Sequence, residues 1–442
     1  MKKFLKQPSA LWCAGIGGLG GFLLGYNTAI ISGVLLVITE KFGLNTARQA
    51  NIVSILLLGA LAGAVAAGFI SDKVGRKKTL LIAMAGYFLS SLLLTMTSNY
   101  GFFVFGRFLT GIACGIGTFI IPLYLSEIAP PKTRGAIVSI NQFSVALGIF
   151  VAYLLNHFFD TNLNYRLVFG FSAIFSLAVG GFIYFLPESP SWLLAMMQRK
   201  EARLILRQVR PSEDADKIIT QIEKHLMNAS KDYYMKKIIV PSVITGLLLS
   251  IIHQICGFSS MIYYTPKILQ SAGFLMVSSA TKAAIAIGAM NLVCTAMAVY
   301  LVDKIGRKPL LIAGLCGMAL MLLGLSIVNF FNPSYKSILT MIALLIYVGS
   351  FALSLGSIIF LMISEIFPLA VRGKVMALCI FVNFLFNYIV SLSFLPLFEK
   401  VSPQVCFLVF SILSSASIYY IYRYVPETKE RALEDIEKFW KK

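Results

Sequence analysis

The sequence predicts an all-α membrane protein of twelve transmembrane helices arranged as two similar halves. Three observations carry this. Of 442 residues, 58% are hydrophobic and 13% are charged, against roughly 25% charged in soluble proteins, and the mean hydropathy is +0.82. Many apolar runs reach about 20 residues, the length of an α-helix that crosses the hydrocarbon core, without the ten-residue alternation of barrel strands. Three charged signatures also recur in order, about half a chain apart. Asp72-Lys-Val-Gly-Arg-Lys77 returns as Asp303-Lys-Ile-Gly-Arg-Lys308, and Glu127 with Arg134 returns as Glu365 with Arg372. Pro187-Glu188-Ser189 returns as Pro426-Glu427-Thr428. A long-period repeat in so apolar a chain points to a transporter built from two related halves.

The segments follow in order. The first, about 10–37, is long enough to span and is rich in glycine (Gly15, Gly17, Gly18, Gly20, Gly21, Gly25), so it reads as a membrane helix although Met1-Lys2-Lys3 imitates a signal start. The second, about 50–71, carries Gly59, Ala60, Gly63, Ala67 and Gly68, which favour close helix contact. Segments at about 79–97, 100–127, 135–157 and 166–186 complete an N-terminal half, residues 1–186. Residues 187–237 are charged and helix-forming and read as a connector with short amphipathic helices at the membrane surface. Segments at about 238–270, 280–302, 309–330, 337–366, 373–397 and 403–424 form the second half, 238–425, followed by a polar tail, 426–442, of the same character as the connector.

The net charge of +19 resides in short loops between apolar runs. Lys73, Arg76, Lys77 and Lys78 follow the second segment, Lys132 and Arg134 the fourth, Lys304, Arg307 and Lys308 the eighth, and Arg372 and Lys374 the tenth. Positive charge in short loops marks the cytoplasmic side, so both termini and the connector are placed there, and nucleic acid is not expected as a partner. The seven cysteines (13, 114, 256, 294, 316, 379, 406) lie in apolar segments without a CxxC pair, as small buried hydrophobes do. The three histidines (157, 225, 253) form no cluster with acids or cysteines at ligand or nucleophile spacing, so neither an enzyme nor a cofactor is expected.

Gly75 and Gly306 give the paired loops backbone freedom. Asp72 and Asp303 can accept bonds from arginines or from a helix start, Glu127 with Arg134 and Glu365 with Arg372 bracket short turns, and Glu188 and Glu427 are placed to reach those arginines. With Glu127 and Glu365, these charges read as a cytoplasmic latch that closes when the protein faces outward.

Joint occurrence of these motifs carries a resemblance. Gly25-Tyr26-Asn27-Thr28, the first Asp-x-x-Gly-Arg-Lys loop, Gly106-Arg107-Phe108, Asn141-Gln142, Pro187-Glu188-Ser189-Pro190, Gly257, Tyr263-Tyr264, the second Asp-x-x-Gly-Arg-Lys loop and Pro426-Glu427-Thr428-Lys429 occur in sequence order. The chain resembles the sugar porter family of the major facilitator superfamily over nearly its whole length. The resemblance implies a hexose transporter of the cell membrane working by alternating access, expected to act as a monomer, and the short outer loops and modest tail suit a bacterial inner membrane.

A sugar presents many hydroxyls and no charge, so its site needs donors and acceptors beside an apolar ring face. Amides are costly inside membrane helices and so mark function. The candidates are Gln142, Gln254, Asn291, Asn383 and Asn387, the last two facing one side at i, i+4. The resemblance assigns hexose binding to Gln142, Gln254, Asn291 and Asn387. Where the family often has Gln-Gln-x-x-Gly-x-Asn, this chain has His253-Gln254-Ile-Cys-Gly257-Phe-Ser259. Phe360 replaces a Trp, and Ser354-Leu-Gly356-Ser357 replaces a proline hinge. Hexose is the first expectation, with pentose or polyol left open. Tyr263 and Tyr264 are expected as extracellular gate residues.

Symporters of this family hold an Asp in the first segment near the arginine of the fourth. Here that position is Asn27, opposite Arg107, and no Asp or Glu lies near a segment's middle. An amide carries no proton, so a facilitative uniporter is expected. The alternatives are a proton symporter using His253 and a non-transporting sensor, which the short tail disfavours.

Overall fold

The computed structural model describes residues 10–130, 134–159, 165–210, 214–228, 236–274, 276–367 and 372–429. The N-terminal half consists of α1 (Ala10–Ala29), α2 (Ile31–Phe42), α3 (Thr46–Val74), α4 (Arg76–Met96), α5 (Tyr100–Ile128), α6 (Arg134–Phe158) and α7 (Tyr165–Tyr184). The connector holds α8 (Pro190–Ala195), α9 (Arg199–Val209) and α10 (Ala215–Asn228). The C-terminal half comprises α11 (Lys236–Ile255), α12 (Phe258–Ser271), α13 (Val277–Ile305), α14 (Arg307–Phe331), α15 (Lys336–Leu353), α16 (Leu355–Ile366), α17 (Arg372–Pro396), a π-helical turn (Leu397–Val401) and α18 (Pro403–Tyr424). Among the described residues, 12 spans are long and apolar enough to cross a membrane. The tail beyond Lys429 lies outside the described residues.

Local chemistry sets the helix starts. The Asn45 side chain accepts from the Arg48 amide at 2.9 Å and opens α3, and Asn99 opens α5 by accepting from the Gly101 amide at 2.8 Å. Both satisfy amide groups that a helix start leaves unpaired. Ser189 followed by Pro190 opens α8, and Ser402 followed by Pro403 opens α18.

Three spans expected as continuous are broken. The first divides at Ile30, the seventh at Gly257 and the tenth at Ser354. Gly257 has φ +86°, and a Cβ there would stand 2.9 Å from the Phe410 ring, so geometry and space both select glycine. Broken spans expose backbone groups and are tolerated at membrane depth where protein or a polar cavity surrounds them.

Helix association in lipid depends on close contact rather than on escape from water. A Cβ on Gly111 would lie 2.0 Å from the Leu56 carbonyl, and one on Gly115 2.0 Å from that of Ala60, so α3 and α5 meet backbone to backbone. The halves meet where α17 lies on α3 and α13 lies on α6. Large apolar side chains such as Phe69, Ile174 and Phe330 remain more than 70% exposed, as a lipid-facing surface requires.

The apolar faces of the connector helices close on one another: Leu193, Leu194, Ala202, Leu206, Ala215 and Ile219 form a separate small core. An amphipathic stripe is satisfied as well by a neighbouring stripe as by lipid.

Candidate functional site

The break between α11 and α12 places His253, Gln254 and Ser259 around one turn of irregular backbone, facing Asn383 on α17. Gln254 Nε2 donates to Asn383 Oδ1 at 3.0 Å, and the Ser259 hydroxyl donates to Gln254 Oε1 at 2.9 Å. Asn383 Nδ2 donates to the Ser250 carbonyl at 3.2 Å. Both amide nitrogens also approach His253 Nδ1, at 3.0 and 3.1 Å. The imidazole is flanked by Phe351 and Phe360, with ring centroids 5.3 and 5.5 Å away. One turn along α17, Asn387 Nδ2 donates to the Tyr263 hydroxyl at 3.4 Å, while its Oδ1 is sealed without a partner.

The other amides stand apart from this cluster. Gln142 is half-buried on α6, and Asn291 is 4% exposed on α13, the helix that packs on α6 across the halves. Tyr264 turns into its own half, stacking on Phe394 at 5.3 Å and donating to the Ser391 carbonyl at 3.4 Å.

In the N-terminal half, Arg107 is 1% exposed and donates through Nη1 to the backbone carbonyl of Asn27 at 3.1 Å. The Asn27 side chain is engaged on both sides. Its Nδ2 donates to the Leu23 carbonyl at 2.9 Å, and its Oδ1 accepts from the Ser172 hydroxyl at 3.1 Å.

The repeated motifs fold into two matching charge clusters at the connector end. Glu188 accepts from the backbone amides of Arg76 and Lys77 at 2.9 and 3.1 Å, and Glu427 from those of Arg307 and Lys308 at 3.1 and 2.9 Å. Each carboxylate thus sits on a helix start, where exposed N–H groups favour negative charge. Arg76 grips Glu127 through two bonds of 3.1 and 3.2 Å, and Arg307 reaches Glu365 at 3.1 Å. Ser189 donates to Glu127, and Thr428 to Glu365. Asp72 pairs with Arg76 at 3.2 Å from an exposed position. Burial would raise the Glu427 carboxyl, but amide donation from Lys429, Arg307, Lys308 and Thr428 outweighs it and holds the group below the usual carboxylate range. The side chains of Arg134, Asp303 and Arg372 lie outside the described residues.

At the opposite end the halves are tied together. The Tyr153 hydroxyl donates to the Ile262 carbonyl at 2.9 Å, and His157 Nδ1 lies 3.1 Å from the Thr281 hydroxyl. Lys267 donates to Gln49 at 2.5 Å and pairs with Glu399, which also accepts from Thr46 at 2.6 Å. Sequence reasoning did not single out these residues, because the partners are more than a hundred positions apart. It also missed Arg210. That guanidinium bonds the carbonyls of Ile128 at 2.9 Å, Glu127 at 3.1 Å and Ala129 at 2.5 Å, tying the connector to the negative end of α5. In a run of basic residues nothing in its spacing distinguishes it.

Two six-helix halves, broken helices around an amide-lined centre and duplicated charge clusters at one end define a major facilitator transporter. The family model "Sugar (and other) transporter" matches residues 13–440, and the chain belongs to this sugar porter family. It is 36% identical over 439 residues to a putative metabolite transport protein of Bacillus subtilis, covering 98% of this chain and 96% of that one. It is 36% identical over 430 residues to the D-xylose transporter of Levilactobacillus brevis, covering 95% and 93%, and 31% identical over 427 residues to a glucose transporter of Staphylococcus epidermidis, covering 96% and 95%. The solved structure of a proton:xylose symporter bound to 6-bromo-6-deoxy-D-glucose superposes with a TM-score of 0.84 at 28% identity, covering 98% of this chain and 99% of that one. The protein is a multi-pass membrane transporter and not an enzyme.

Proposed function

We propose that the protein is a facilitative monosaccharide uniporter, hexoses being its first substrates, working by alternating access between its two halves. The observation that carries uniport is the setting of Arg107. Its guanidinium meets the Asn27 backbone rather than a carboxylate. Both Asn27 side-chain groups are already engaged, and an amide has no proton to carry. Among the described residues, the acids within spans (Glu40, Asp72, Glu127, Asp303, Glu365, Glu399) stand at or near helix ends. Relatives named for xylose and for glucose support a monosaccharide.

The solute lies between His253, Gln254, Ser259, Asn383 and Asn387 on one side and Gln142 and Asn291 on the other, with Phe360 beside it. Loop charge puts the connector end in the cytoplasm. The ties from Thr46 to Glu399 then close the extracellular end, with Tyr263 and Tyr264 on the gating helix α12. The charge clusters, each closed within its own half, are the parts of a latch that joins the halves when the protein turns outward.

The test is D-glucose and D-xylose uptake and counterflow in liposomes, with and without an inward proton gradient. Counterflow without accumulation is expected. Accumulation above the external concentration that an uncoupler abolishes would refute uniport.

A further inference from the structure

The hydrogen bonds around His253 decide which of its nitrogens carries the proton. The Ser250 carbonyl can only accept. Asn383 must therefore turn Nδ2 toward it, at 3.2 Å. Asn383 Oδ1 then faces Gln254, which must present Nε2, at 3.0 Å. Gln254 Oε1 is left for the Ser259 hydroxyl at 2.9 Å. Amide orientations are assigned by such networks, and here one backbone group fixes all of them. Both NH2 groups then converge on His253 Nδ1, at 3.0 and 3.1 Å. A nitrogen faced by two donors carries no hydrogen, so the neutral ring is protonated at Nε2. Nε2 has no protein partner among the described residues and is not among the sealed polar atoms. The half-buried ring is flanked by the apolar Phe351 and Phe360.

We propose that His253 is a specificity-determining residue that offers the solute a hydrogen-bond donor only, so that the site requires an accepting oxygen at that point and has no use for a donating hydroxyl there. This rests on the transport reading above and deepens it. An amide side chain would offer both a donor and an acceptor. Here the acceptor is consumed by Gln254 and Asn383.

Two substitutions separate the roles of the ring's nitrogens. His253→Gln carries its amide to about the reach of Nε2 and keeps a donor for the solute. His253→Asn places its carbonyl near Nδ1, keeps the acceptor for the two amides and gives up the donor. Competition of deoxy-D-glucose and deoxyfluoro-D-glucose analogues against D-glucose uptake reads the consequence, because fluorine accepts weakly and does not donate. At one ring position the fluoro analogue should compete about fivefold better than the deoxy analogue in the wild type and in His253→Gln. That difference should vanish in His253→Asn. Discrimination retained in an active His253→Asn, or absent from the wild type, overturns the proposal. Nitrogen-15 spectra of the histidine-labelled protein in nanodiscs test the tautomer without any sugar. With three histidines in the chain, the signal lost in His253→Gln identifies the residue. An Nε2–H neutral ring is expected, and an imidazolium or an Nδ1–H ring at neutral pH overturns the proposal. A wild type that takes up neither D-glucose nor D-xylose would refute the transport reading, while the spectrum still decides the tautomer.

Discussion

Glu427 caps the helix that begins at Arg307, accepting that residue's backbone N–H at 3.1 Å. Glu188 does the same for Arg76 at 2.9 Å, so the chain builds one device twice. Capping carboxylates hold their position through fixed backbone donors, which leaves each arginine side chain to grip a second acid, Glu127 or Glu365.

Replacing Glu427 by Gln keeps an acceptor but removes the negative charge at the start of α14, and should lower stability by about 0.5–1 kcal/mol. The carboxyl is held below its usual range in the folded protein, so its contribution is present above the unfolded carboxylate pKa and is lost as pH falls through the lowered one. The gap in thermal midpoint between wild type and E427Q, measured in nanodiscs, should therefore narrow with acidification. A gap that widens on acidification contradicts the assignment.

Asn27→Asp places a titratable group beside the buried Arg107. Uptake by this variant should acquire a pH dependence that the wild type lacks, read from initial rates across the neutral range. An active variant with an unchanged profile counts against the juxtaposition of residues 27 and 107.

Gly257→Ala adds a Cβ at φ +86°, 2.9 Å from Phe410. Left-handed backbone alone costs a non-glycine residue about 1–2 kcal/mol, and the ring must also move. A lowered thermal midpoint together with slower uptake is expected. An alanine variant with wild-type stability would show that the break between α11 and α12 is not held as described.

Lys267→Met removes the cation that joins Gln49 and Glu399 across the halves. A partly exposed tie of this kind is worth about 1 kcal/mol at most, enough for a several-fold population shift toward separation at that end. Spin labels at positions 40 and 276, in a cysteine-depleted background, should report a larger share of long distances. An unchanged distribution would assign closure to the apolar contacts instead.

Much of the architecture was legible because membrane helices announce themselves by length and apolarity and because the charged motifs repeat in order. The members of the charge clusters were legible for the same reason. The sequence also named His253, Gln254 and Asn383, since amides and imidazole inside apolar segments are costly unless used, and the family resemblance added Ser259 and Phe360. It did not show that they share one hydrogen-bonded cluster while Gln142 and Asn291 stand on the other helix pair, because joining α11 to α17 is a matter of packing. Nor did it place the connector helices against one another, since an amphipathic stripe does not specify what covers it.

By itself, then, the sequence determined twelve spans, two related halves and the positive loops, all set by local composition and spacing, while the family resemblance set Asn27 opposite Arg107. Only the tertiary structure decided where spans one, seven and ten break, which residues tie the halves at one end, and which nitrogen of His253 two neighbouring amides engage. Those outcomes depend on distances between residues far apart in the chain, and hydrogen-bond direction is fixed only when every neighbouring donor and acceptor is in place.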